Sequence, residues 1–106
     1  MVVIVNGQKK ELMYICNTNC DSDITMDIIG MYDSFPVDGE GNLIMTTSDF
    51  NWWSDELYKL AKIDGLLEDV RLSDEDFDRY INDTNMCDLE AQTDTQLEWL
   101  QNYIKG

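Results

Sequence analysis

"VVIVNGQKKELMYI", Val2 to Ile15, decides the fold. Two β-prone runs flank Asn6-Gly7, a dipeptide that tolerates the positive φ of a tight hairpin turn. The reading predicts strands near 2–5 and 10–15. Period-two alternation puts Val3 and Val5 on one face, and Leu12 and Tyr14 on one face of the return strand.

Outward from the hairpin, "NTNCDSD" (17–23) reads as a turn, because its Asn, Asp and Ser side chains bond their own backbone. Ser22 or Asp23 then caps a helix near 23–32, with Ile24, Ile28 and Met31 at helical spacing. Asp38-Gly39 and Glu40-Gly41 are turn dipeptides. They precede a β-prone run, 42–46, with a short partner strand at 33–37.

Ser48 reads as the cap of a helix over 49–63. Phe50, Trp53, Leu57, Leu60 and Ala61 form its apolar face, and Gly65 is its stop. "SDED" from Ser73 is a capping box with Asp76 in the Glu/Gln position, and Phe77, Tyr80 and Ile81 form the stripe behind it. "TDTQ" from Thr93 reads as a second box, opening a last helix through Leu97, Leu100 and Ile104. The order of hairpin, helix, strand and three helices predicts one α+β domain over 1–106. A small antiparallel sheet, the N-terminal hairpin plus a third strand, packs against three to four helices.

A chain of 106 residues with 43 % apolar and 10 % aromatic composition can fill a core. Its charge is the anomaly: seven Lys and Arg face 22 Asp and Glu, for a net −15. A small soluble domain ordinarily carries a net charge of about 2–8. Between Lys10 and Lys59 there is no cation but ten acids, and twelve acids from Asp64 to Glu98 face only Arg71 and Arg79. Charge of this sign repels nucleic acid and anionic membranes, and favours basic proteins or cations. No run approaches the ~20 apolar residues of a membrane span. Three cysteines, Cys16, Cys20 and Cys87, with no signal peptide in view, predict reduced thiols and a cytoplasmic location.

The chain has no His, which removes the commonest general base and metal ligand, so the expectation is a non-enzyme. An EF-hand counted from Asp38 needs Gly at its sixth position and Glu at its twelfth, but meets Leu43 and Asp49. Acids around Asp21 and Asp23 read as a polar turn. Cys16, Cys20 and Cys87 lack the paired spacing of a zinc site. No metal or cofactor is expected.

Asp74, Glu75 and Asp76 fall in a first helical turn, where the helix dipole stabilises acids by roughly 0.3–1 kcal/mol each. Asp78 lies beyond that turn and repels Asp74, while Glu75 and Arg79 make a favourable pair. Capping therefore explains where the cluster starts but not its size. Carboxylates at i,i+4 lie about 5–6 Å apart at their Cβ atoms, comparable with successive phosphates of a nucleic-acid strand. In size, charge and compartment the chain resembles small acidic inhibitors of phages and mobile elements, the anti-restriction and anti-CRISPR proteins. It is also similar to bacterial immunity proteins and antitoxins. No motif carries the likeness, so no site residue transfers from it.

The resulting expectation is an inhibitor that mimics nucleic acid and blocks the basic site of a nucleic-acid-binding nuclease. It binds no nucleic acid or membrane directly, and acts as a monomer or homodimer. The predicted contact residues are Asp69, Asp74, Glu75, Asp76 and Asp78, with Asp55, Glu56 and Trp52. The alternatives are an immunity protein or antitoxin against a basic toxin, or an acidic structural domain whose charge only keeps it soluble.

Overall fold

A computed structural model describes residues 1–12 and 22–106. The elements are β1 (Val2–Val5), β2 (Gln8–Glu11), α1 (Ser22–Tyr32), β3 (Leu43–Met45), α2 (Thr47–Val70), α3 (Asp74–Asp83) and α4 (Leu89–Lys105). The α+β class holds.

The hairpin turns on Asn6 and Gly7, both at positive φ (53° and 77°). This two-residue loop pairs Val5 with Gln8 and Val2 with Glu11, so β2 begins straight after the turn rather than at Lys10. Val3 and Val5 are buried on one face, as alternation requires, and Leu12 is buried just past β2. The expected extension of β2 to Ile15, Tyr14 included, lies outside the described residues, as do most of the 17–23 turn, Cys16 and Cys20.

The third strand corrects one expectation. β3 runs parallel to β1, pairing Val3 with Leu43 and Val5 with Met45, so the sheet is mixed with order β2-β1-β3. The connection from the hairpin to β3 contains α1. β2 already brings the chain back to the end where β1 began, since Glu11 pairs with Val2, and after α1 the chain re-enters the sheet at that same end on the other side of β1. The short partner at 33–37 survives as one antiparallel bridge between Val37 and Leu43.

α2 is longer than its sequence pattern suggested. Its cap is Thr46, whose hydroxyl accepts from the Asp49 N–H, so Ser48 already lies within the helix. Gly65 does not stop it. The helix continues to Val70 and ends on Arg71 in the left-handed region (φ 49°, ψ 64°). The continuation places Leu66, Leu67 and Val70 against a cluster formed by Ile63, Tyr80 and Leu100. That burial outweighs a mid-helix glycine penalty of about 1 kcal/mol. A separate cluster under the sheet joins Val3, Val5, Leu12, Ile29, Met45, Trp53, Leu57 and Leu89. α2 serves both clusters.

Ser73 caps α3 as expected, accepting from the Asp76 N–H. Of the predicted stripe only Tyr80 is buried; Phe77 and Ile81 are 44 % and 46 % exposed. α4 starts earlier than Thr93, at Leu89, capped by the Asp88 carboxylate on the Ala91 N–H. Thr93 is fully buried one turn into that helix. The contacts Trp52–Glu90, Glu56–Thr93 and Lys59–Asp94 advance together along both chains, so α2 and α4 run parallel. α3 returns antiparallel to α4: Asp76 meets Tyr103, and Asp83 meets Trp99. Among the described residues, no helix is long and apolar enough to cross a membrane.

Candidate partner-binding surface

The predicted contact residues divide into separate groups. Asp69, Asp74, Glu75 and Asp78 are exposed and fall on either side of the corner where α2 ends and α3 begins. Glu68 is exposed beside them. None of these five carboxylates forms an ion pair among the described residues. The corner itself is fixed. The Arg71 N–H closes α2 on the Leu67 carbonyl at 3.2 Å, and the Ser73 cap opens α3 two residues later. Leu72 packs into the cluster between them.

Asp76 is in this segment but is already engaged. It is half-buried, accepts from the Tyr103 O–H at 3.0 Å, and approaches Arg79 at 3.8 Å. The ion pair expected between Glu75 and Arg79 is therefore replaced by Asp76–Arg79. The same bond holds the Tyr103 phenol above its ordinary pKa, because ionising it would break the donation and place two anions side by side.

Glu56 is a correction. It is 1 % exposed and cannot meet a partner. Its Oε2 accepts from the Thr93 hydroxyl at 3.0 Å, and its Oε1 faces the Lys59 ammonium at 3.4 Å. Lys59 also reaches Asp94 at 3.0 Å. That bond chiefly raises the lysine pKa; burial opposes the shift and Glu56 adds to it. The sequence held the signal, since position 56 lies within the 53–57–60 spacing of the buried stripe. Its acidic side chain drew the opposite reading.

Asp55 is exposed, but lies roughly 21 Å along α2 from Asp69, so it is not part of the corner. Trp52 is half-buried rather than open. Its indole N–H donates to Glu90 at 3.3 Å, and its ring meets Trp53 edge-to-face at 5.0 Å.

Other acids are structural. Asp38 organises the 38–42 turn by accepting from the Glu40 and Asn42 N–H groups at 2.9 and 2.8 Å. Those bonds favour its ionised form and lower its pKa, the Asn42 N–H most. Asp64 is shifted upward by burial. A ladder of rings that sequence reasoning missed runs along the α3–α4 seam: Phe77, Tyr80, Trp99 and Tyr103, with neighbouring centroids 5.9, 5.3 and 5.4 Å apart. Cys87 is exposed. Among the described residues, no three His, Cys, Asp or Glu side chains group as metal ligands.

The corner thus offers fixed, unneutralised carboxylates and no nucleophile–base pair. No protein-family model, curated protein or solved structure matches the chain.

Proposed function

We propose that this chain is a non-enzymatic cytoplasmic inhibitor. It occupies the basic nucleic-acid groove of a protein such as a defence nuclease. The observation that carries the reading is the α2–α3 corner, where Glu68, Asp69, Asp74, Glu75 and Asp78 are all exposed and form no ion pair among the described residues. A net charge of −15 weakens the compact state through self-repulsion. Solubility alone does not require so large an excess on so few elements. Helices fix the backbone positions of the charges, so little backbone order has to be created on binding. Complementary charge also speeds capture of a basic partner by 10- to 10³-fold.

The test is capture from host lysate on the immobilised chain, with and without excess duplex DNA, followed by association kinetics of the captured protein. The expected result is a basic protein displaced by DNA, whose association slows steeply as salt rises. The combined variant Asp69→Asn, Asp74→Asn, Glu75→Gln, Asp78→Asn is expected to slow association further. Capture indifferent to DNA, with association flat across salt, would refute the reading.

A further inference from the structure

A second acidic feature lies at the other end of α2. A cleft of about 520 Å³ opens where the end of α1, the first turns of α2 and the start of α4 meet. Two accessible rings line it, Tyr32 and Trp52, over the buried Trp53, together with three carboxylates, Asp33, Asp49 and Asp88.

The walls are held in place. The Trp53 indole N–H is tied to Asp33 Oδ2 at 3.0 Å, and the Trp52 indole to Glu90 at 3.3 Å. The two rings brace each other edge-to-face at an interplanar angle of 87°. Asp88 is held as the α4 cap, its Oδ2 accepting from the Ala91 N–H at 3.3 Å. Asp49 sits in the first turn of α2.

Among the described residues, no lysine or arginine pairs with a carboxylate of this cleft. The lysine and arginine ion pairs of the described residues go to Glu40, Glu56, Asp94 and Asp76, never to Asp33, Asp49 or Asp88. Three carboxylates without an ion pair, set between ring walls, bring negative charge into a concave site. The faces of indole and phenol rings attract cations in their own right. A phosphate-bearing ligand is repelled here, and a neutral one gains nothing from the charge.

We infer that the cleft receives an arginine side chain of the basic protein partner. A guanidinium is planar and weakly hydrated, so it can stack on an indole while its donors reach a carboxylate. A lysine ammonium is more strongly hydrated and has no plane to stack. The inference rests on the proposed function only for the source of the arginine. The cleft and the acidic corner are far apart, since Trp53 and Asp69 are separated by roughly 24 Å along α2.

The test is an NMR titration of the whole chain with N-acetyl-arginine amide, read at the indole N–H resonances. Trp99, on the α3–α4 seam, is the internal control. The expected result is saturable movement of the Trp52 signal with Trp99 still, and weaker movement with N-acetyl-lysine amide. Asp49→Asn should weaken arginine binding about fivefold, the fold-change of a ~1 kcal/mol interaction, with the chain still folded and the Trp99 signal in place. Equal movement of all three indoles, or none, overturns the inference even where DNA-competed capture succeeds. Selective arginine binding with no such capture upholds the cleft and refutes the proposed function instead.

Discussion

The Trp53 indole N–H donates to Asp33 Oδ2 across 3.0 Å, tying α2 to the residue that follows α1. The other two tryptophans do the same: Trp52 donates to Glu90 and Trp99 to Asp83, while the Tyr103 hydroxyl donates to Asp76. Each bond joins two different parts of the fold. Part of the acid surplus therefore consists of acceptors for aromatic donors.

This division predicts unequal effects from equal charge removal. Asp83→Ala leaves the Trp99 N–H without its acceptor and should cost about 1 kcal/mol, read as a lower urea midpoint. Asp83→Asn keeps an acceptor oxygen and should recover most of that loss. Asp78→Ala, on the same helix with no such bond, should stay within about 0.5 kcal/mol of the parent. Equal losses at 83 and 78 would mean the indole bond contributes nothing.

The buried Glu56 makes the next case. Thr93→Val removes the hydroxyl that donates to Oε2 and leaves a carboxylate oxygen buried without that donor. The expected cost is about 1–3 kcal/mol in urea unfolding. Removing the carboxylate as well, with Glu56→Met added to Thr93→Val, should cost less than the two single changes summed, because the unpaired oxygen is then gone. Strict additivity would show that the two side chains act independently.

Alkaline pH should weaken the fold through Tyr80 and Lys59, besides the exposed Tyr103. Burial, with the Asp64 carboxylate adding, pushes the Tyr80 phenol from 10.0 up to about 12. The Asp94 bond raises Lys59 from 10.5. Each folded-state pKa lies above its unfolded value, so the folded chain holds both protons more tightly. The Tyr80 contribution is complete below about pH 10 and is lost as pH rises towards about 12, and that of Lys59 is lost as pH rises through its own raised pKa. The Tyr80 share is at most about 3 kcal/mol. Tyr80→Phe should flatten the fall in urea midpoint over that window, and an unchanged slope would place the loss elsewhere.

Local chemistry was legible in the sequence where one residue type decides the backbone. Asn6-Gly7 marked the hairpin, and Ser73 with Asp76 marked the start of α3. The direction of β3 was not legible, because apolar alternation reads the same in parallel and antiparallel strands; only the end at which the chain re-enters the sheet after α1 decides it. Gly65 and Thr93 misled for a common reason. Glycine and threonine favour helix ends locally, but here the apolar surface beyond Gly65 and the buried partner of Thr93 hold them inside helices. At the candidate site the exposed acids of the corner were legible as charge. Glu56 was not, since burial depends on what α4 brings against it. The aromatic cleft assembles from three helices, and no single window of sequence contains it.

Arg71 gives the most direct handle on both stability and capture. It holds φ 49° and ψ 64°, a left-handed conformation that costs a side-chain-bearing residue roughly 1 kcal/mol and glycine almost nothing. Its side chain is exposed and forms no ion pair among the described residues, so longer-range attraction to its acidic neighbours is worth under about 0.5 kcal/mol. Glycine enlarges the unfolded ensemble, which offsets part of the relief. Arg71→Gly should still stabilise the chain, by about 0.5 kcal/mol. It also deletes the one cation between Asp69 and Asp74, so association with a basic partner should quicken at low salt. Arg71→Ala separates the two effects: it deletes the same charge and keeps the Cβ. It should match the faster association and show none of the added stability. A stability gain shared equally by the alanine and glycine variants would trace to charge and remove the backbone from the argument.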